Sequence, residues 1–300
     1  MPVNTSEIAN LLRPGLAAIT GDYPSYPSQW SEIFETYESD KAFEQEVEMR
    51  FLGLAAFRAE GAPTQTDIMG QRSVTTYLHR YVALEFVITR QAMLDNLYKT
   101  KFPMMAKSLK RSFQQTKELS GASILNNGFN TSFPIGDGQP LFSVNHPIDA
   151  GVVPNTPAVP ADLNEASLEA GINAVQQFRD VASLICMNKP TKLIVPTQGQ
   201  WTAERLLGSS FRTNTANNDI SAVYNTSAVP QGYRCNQFLT QNNSWFLLTD
   251  APDSFKHYIR EPFETDTYVD FSTDNIMCKG VERYSFGVTN WRGAYGSNGP

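Results

Sequence analysis

Glu282-Arg283-Tyr284-Ser285-Phe286-Gly287-Val288-Thr289-Asn290-Trp291-Arg292-Gly293-Ala294-Tyr295-Gly296-Ser297 is the stretch on which the fold turns. Tyr284, Phe286 and Val288 alternate with Arg283, Ser285, Gly287 and Thr289, the period of a strand with one buried face, and an aromatic, glycine-rich turn follows. Chain ends are usually frayed and polar. Trp291 and Tyr295 this near the end therefore predict a segment tied into a core or a partner. Packing is the first task the sequence points to.

Working back from that strand, Phe255 to Glu261 and Ile276 to Val288 read as strands around an acidic connection, Pro262 to Asn275. Tyr233 to Thr240 and Ser244 to Thr249, joined by Gln241-Asn242-Asn243, predict a hairpin. Phe211 to Ser227 reads as an exposed loop, Trp201 to Leu207 as a short helix and Lys192 to Val195 as a short strand. Asp162-Leu163-Asn164-Glu165 has the form of a capping box for a helix with the stripe Leu168, Ile172, Val175, Phe178, Ala182 and Ile185, ended by Pro190. Between Asn126 and Pro160, prolines at 134, 140, 147, 154, 157 and 160 predict a long functional loop at a domain crossing.

Thr89 to Gly121 is the strongest helical pattern, with Met93, Leu97, Met105, Leu109 and Phe113 at helical spacing. Pro103 predicts a short helix ending near Lys101 and a long one starting at the proline. Val47 to Phe57 and Val74 to Ile88 predict the two strands of a long antiparallel hairpin. Two strands alone are marginal in water, so the hairpin must lie on its own domain or reach a neighbour. Ser31 to Glu48 is acidic and predicts a helical turn or two on a solvated face. Before Trp30, Pro14, Tyr23-Pro24 and Tyr26-Pro27 break any helix and predict an extended arm.

With 300 residues, 41% of them hydrophobic, the chain can build a substantial core, and a net charge of −6 argues against tight nucleic-acid binding over the whole surface. The helix from Arg90 to Lys117 is the one basic candidate for a loose contact with DNA. Cys186, Cys235 and Cys278 form no CxxC pair and read as reduced thiols. No signal peptide or membrane-spanning run is legible, so the expected site of synthesis and folding is a cytoplasm, with no membrane partner. Neither a metal-ligand spacing, a nucleophile elbow nor a phosphate loop is present, and no cofactor is expected. His146 with Asp149 is the only pair that suggests a base and its orienter, the basis of a hydrolase reading. Asp266, Asp270 and Asp274 lack the every-second-residue pattern of a calcium loop.

Several segments then fall in a telling order. They are Leu12-Arg13-Pro14-Gly15-Leu16 with Trp30-Ser31-Glu32-Ile33-Phe34-Glu35-Thr36; Tyr81-Val82-Ala83-Leu84-Glu85-Phe86-Val87-Ile88-Thr89 leading to Asp95-Asn96-Leu97-Tyr98; Ser112-x-x-Gln115-Thr116-Lys117-Glu118 to Leu125-Asn126-Asn127-Gly128-Phe129; Leu141-Phe142-Ser143-Val144-Asn145-His146-Pro147; and the terminal Glu282 to Gly287 strand. Together they resemble the major capsid proteins of tailed bacteriophages, specifically the Mu-like major head subunit group.

That resemblance implies an α+β chain with the Hong Kong-type capsid fold: an N-terminal arm (1–46), an extended hairpin loop (47–88), a peripheral domain with a long spine helix (89–161), an axial domain (162–250), and a return to the peripheral domain (251–300). It implies hexamers and pentamers of an icosahedral virion shell, assembled in a bacterial cytoplasm. Expected partners are a separate scaffolding protein, a portal, a decoration protein and packaged double-stranded DNA held by weak non-specific contact. The residues expected to carry assembly and packing are Phe51, Phe57, Arg58, Arg72, Tyr77 and Tyr81 on the loop, Lys107, Lys110 and Arg111 on the spine helix, and Tyr284, Phe286 and Trp291 in the terminal segment. Some shells of this type are locked by Lys to Asn isopeptide bonds. No lysine lies between Lys41 and Lys99, so a non-covalent shell is expected. Alternatives from other classes are a virion decoration or adhesin module and the His146/Asp149 hydrolase.

Overall fold

The computed structural model describes residues 27–95, 98–211 and 219–300. The arm up to residue 26, with Leu11, Leu12, Leu16 and Ile19, and positions 212–218 of the expected exposed loop lie outside the described residues. After a 3-10 turn at Trp30–Glu32 come β1 (Glu35–Glu38), β2 (Phe43–Arg50), β3 (Gly70–Leu78), β4 (Arg80–Ile88), α1 (Arg90–Leu94), the long α2 (Tyr98–Asn126), β5 (His146–Ile148) and β6 (Gly151–Val153). The second half adds α3 (Glu165–Gln176), β7 (Pro190–Val195), α4 (Gln200–Leu207), α5 (Ala222–Asn225), β8 (Tyr233–Cys235), β9 (Trp245–Thr249), β10 (Phe255–Val269), β11 (Ile276–Val288), a 3-10 turn at Trp291–Gly293 and β12 (Ala294–Ser297).

Two four-stranded sheets organise these elements. In the first, ordered β1-β10-β11-β4, β10 and β11 form a long antiparallel pair, β4 flanks β11, and β1 adds in parallel to β10. Helix α2 runs along β11 and β4. Its buried residues Ala106, Leu109, Phe113, Ala122 and Leu125 recur at helical spacing on one face. A Cβ at Gly280 would sit 2.9 Å from the Phe113 ring, so the helix approaches β11 closely only because that residue is glycine. The second sheet, ordered β12-β9-β7-β8, is covered by α3 and α4. Leu193, Ile194 and Val195 of β7 are all buried, as a central strand requires. One core joins the two sheets, running from Phe34 and Leu125 through Phe142, Leu168 and Phe246 to Trp291 and Tyr295.

Several expectations need correction. The acidic stretch from Ser31 to Glu48 is helical only in the 3-10 turn at Trp30–Glu32; the rest forms β1, whose residues are exposed as expected, and β2, whose Glu46 and Glu48 find cationic partners instead of solvent. Residues 74–88 are not one strand, because the chain changes sheets at His79, between β3 on β2 and β4 on β11. β2 ends at Arg50 instead of Phe57, since Phe51 onward has no pairing partner. The helix break falls before α2, and Pro103 lies inside it, where a proline removes only one backbone bond near the helix start.

The proline-rich 126–160 segment is not structureless. It buries Leu141 and Phe142 and forms the β5–β6 hairpin. The capping box is Asn164 with Ser167, and α3 stops at Gln176, which leaves Ile185 exposed. β8 and β9 make no hairpin, because β7, buried through Leu193, Ile194 and Val195, takes the place between them. β10 continues through Pro262, where the register slips and the missing N–H is absorbed by the irregularity. The end of the chain serves both sheets: β11 lies in the first and β12 in the second.

Candidate functional site

The β2–β3 ribbon is seated on the body by charge. Glu46 accepts Lys256 Nζ at 2.6 and 2.7 Å and also the Tyr258 hydroxyl, and Glu48 accepts Arg292 Nη1 at 2.8 Å. Asp149, at the end of β5, receives Arg50 Nε at 2.6 Å and Arg72 Nη1 at 3.1 Å. Burial alone would depress the Lys256 ammonium, but Asp253 and Glu46 hold it above the usual lysine range. Past Arg50 the chain leaves the sheet. Asp67 closes the loop base by accepting N–H bonds from Gly53 and Ile68 and a bond from Arg50, which together keep its carboxyl below the usual range.

The loop beyond this clasp exposes apolar side chains: Phe57 is fully exposed, Leu54 is 82% exposed and Phe51 57%. Arg58 donates to Thr64 within the same loop. Tyr81 is exposed on β4, with Lys279 Nζ 5.9 Å from its ring. Tyr77 is instead buried, its hydroxyl 2.6 Å from Thr289 Oγ1, and burial raises its phenol. Tyr284 and Trp291 are buried core residues. Phe286 is half-buried, stacked on His257 at 4.4 Å and edge-on to Trp30 and Phe34. Burial and then Lys117 push the His257 imidazole down to about 3, so it is neutral at physiological pH.

Helix α2 carries the basic residues. Lys107 and Arg111 are exposed and Lys110 is half-buried. Lys110 and Arg111 border a cleft of about 710 Å³ with Trp30, Phe113, Phe238 and Phe263. At its floor, Glu118 accepts the backbone N–H groups of Gln29 and Trp30 at 2.9 and 3.0 Å and so fixes where the arm enters the body. Burial raises the Glu118 carboxyl, and the two N–H bonds oppose that rise.

His146 and Asp149 do not form a catalytic pair. His146 Nδ1 lies 2.6 Å from Asp137, its Nε2 faces the Leu141 carbonyl and Asn155 Oδ1, and its ring stacks on Trp291 at 4.4 Å and 5°. The imidazole is fully buried, so no substrate reaches it. Asp149 is engaged by the ribbon arginines. Asp137, Asn155 and Arg292, which hold this centre together, were not singled out in the sequence. Only the density of prolines around Asn155 hinted at a fixed loop.

No curated protein matches the chain in sequence. Among solved structures, it is similar to a virus-like particle from Pyrococcus furiosus (TM-score 0.55, 9% identity, covering 97% of this chain and 99% of that one). It is also similar to the capsid of Myoviridae phage XM1 (0.55, 10%, 94% and 95%). The capsid of bacteriophage JBD30 decorated with minor capsid protein trimers matches at 0.58 and 14%, over 72% and 92%. The α+β architecture is therefore the Hong Kong-type capsid fold. A family model described as phage capsid protein matches residues 71–297. The chain belongs to the phage capsid protein family.

Proposed function

We propose that the chain is the major head subunit of a tailed phage. In this reading it assembles into hexamers and pentamers of an icosahedral shell around double-stranded DNA and has no catalytic role. The observation that carries the reading is the loop beyond Arg50, where Phe51, Leu52, Leu54 and Phe57 all stand exposed. Isolated soluble proteins seldom keep such a cluster in water, and a partner surface accounts for it. Residues 1–46 serve as the arm, 47–88 as the extended loop, 89–161 and 251–300 as the peripheral domain and 162–250 as the axial domain. A scaffolding protein, a portal and a decoration protein are the partners such a shell calls for. The acidic surface suits a container that must release its DNA, because each neutralised phosphate adds salt-dependent affinity.

Wild-type protein co-expressed with its scaffolding protein is expected to yield closed particles tens of nanometres across by negative-stain microscopy, in which this chain dissociates to a single monomer band in denaturing gels. A monodisperse monomer at high concentration would overturn the reading. In Lys107→Glu/Lys110→Glu/Arg111→Glu we expect at least a tenfold loss of particles, since the basic face of α2 is assigned to a neighbouring subunit or the DNA. Normal particles with normal DNA content would remove both roles.

A further inference from the structure

The β2–β3 ribbon joins the first sheet through two short crossings. One is the link from β1 to β2, residues 39–42. The other is His79 alone: Leu78 is still paired with Phe43 of β2, and Arg80 is already paired with Tyr284 of β11. The two crossings meet at the imidazole of that histidine. It is 5% exposed, with Nε2 3.2 Å from Ser39 Oγ on the first crossing and Nδ1 3.0 Å from Ser285 Oγ on β11. Ser39 is itself tied to the sheet, since its N–H donates to the Ile259 carbonyl at 2.9 Å. Tyr258 stands edge-on to the ring at 6.3 Å.

These partners dictate the protonation of the ring. Ser39 Oγ donates its one proton to Glu44 Oε1 at 2.8 Å and accepts the Lys41 N–H at 3.2 Å, so toward His79 it can only accept. Nε2 therefore carries the hydrogen. A neutral imidazole then has an acceptor at Nδ1, which the Ser285 hydroxyl fills as donor. A second proton on the ring would sit on Nδ1 and meet that hydroxyl donor to donor. Ser285 could accept it only by turning its own proton away, and Ser285 is buried. The added charge would also face Arg283 of β11 and Arg260 of β10, with Glu44 of β2 as the opposing carboxylate. Burial and then Arg283 hold the imidazole below the usual histidine range, against the pull of Glu44.

We propose that His79 is a proton-operated pin: neutral, it clasps both crossings to β11, and on taking up a proton it lets the root of the ribbon come away from the sheet. The inference goes beyond the shell reading, because it concerns a single subunit. In the released state the ring is solvated and titrates near its ordinary value of about 6.5, above its value in the clasp. Release therefore takes up a proton and is favoured as pH falls, by at most about tenfold per pH unit for one linked proton. Carboxyl groups ordinarily titrate near 4, so mild acid addresses histidine first.

The test is amide hydrogen exchange on the full unassembled chain at pH 7.5 and 5.5, either side of the ordinary histidine value of about 6.5, with rates corrected for the intrinsic pH dependence of exchange. We expect protection over 43–50 and 70–78 to fall several-fold at the lower pH while 190–195 in β7 is unchanged. His79→Gln keeps a donor for Ser39 and does not titrate, so its ribbon should hold the wild-type protection of pH 7.5 at both values. His79→Ala should lack the clasp and show low ribbon protection at both. Equal ribbon protection in wild type at the two pH values would overturn the pin, as would an undiminished fall in His79→Gln or wild-type protection in His79→Ala. A fall that includes 190–195 to the same extent would also overturn it, since acid would then be loosening the whole subunit.

Discussion

Replacing Trp291 by Ala is expected to cost about 3–5 kcal/mol of stability and to abolish particle formation. The indole is 2% exposed, stacks on His146, meets Phe178 edge-on at 5.4 Å and carries the Arg292 guanidinium 4.4 Å from its ring centre. Around it, Asn155 Nδ2 donates to the carbonyls of Leu141, Trp291 and Ala294 and ties the 126–160 loop to the chain end. Removing the ring leaves a cavity under those bonds, and such cavities collapse poorly. Against a typical total of about 5–15 kcal/mol, the loss is a large fraction. Urea unfolding of unassembled subunits measures it, and Trp291→Phe should recover more than half. A loss below about 1 kcal/mol would show that the terminal segment carries little of the core.

The same residue shows what was legible in the sequence. The alternation of Tyr284, Phe286 and Val288 gave a strand whose period, face and approximate ends could be read directly. Helix α2 and strand β7 were legible for a like reason, since apolar residues at a fixed period have one efficient way to be buried. The acidic segment was misread because Glu44, Glu46 and Glu48 carry the strand period in charge. Charge is ordinarily a sign of solvent, and the partners that overrule it, Lys256 and Arg292, lie more than 200 positions away. The partner of His146 was missed for a related reason. Asp149 is near in sequence, but the β5–β6 hairpin carries it to the ribbon arginines, and Asp137 reaches the imidazole from the preceding turn. The exposed Phe51 and Phe57 were legible as apolar, whereas their exposure is a property of where the ribbon ends.

Lys117→Met should lower stability at pH 7 by about 3–5 kcal/mol, the second large effect, and the loss should shrink on acidification. Lys117 of α2 and Glu282 of β11 form an ion pair with side chains 17% and 4% exposed. Burial raises the Glu282 carboxyl, and Lys117 opposes that rise through its charge and its hydrogen bond. Without the lysine, Glu282 must either stay ionised in an apolar wall beside Tyr284 and Phe113 or take up a proton. A carboxyl whose folded pKa lies above its unfolded value binds the proton more tightly in the folded state. Its folded state is therefore favoured at low pH, and stability falls as pH rises from the unfolded value through the folded one. The variant should accordingly be closer to wild type at pH 5 than at pH 7, and adding Glu282→Gln should restore most of the loss at pH 7. Urea midpoints at the two pH values decide the matter. An equal deficit at both, unrelieved by Glu282→Gln, would mean that the Lys117 ammonium over the Trp30 and Tyr284 rings, and not its neutralisation of the carboxylate, is what α2 contributes at this point.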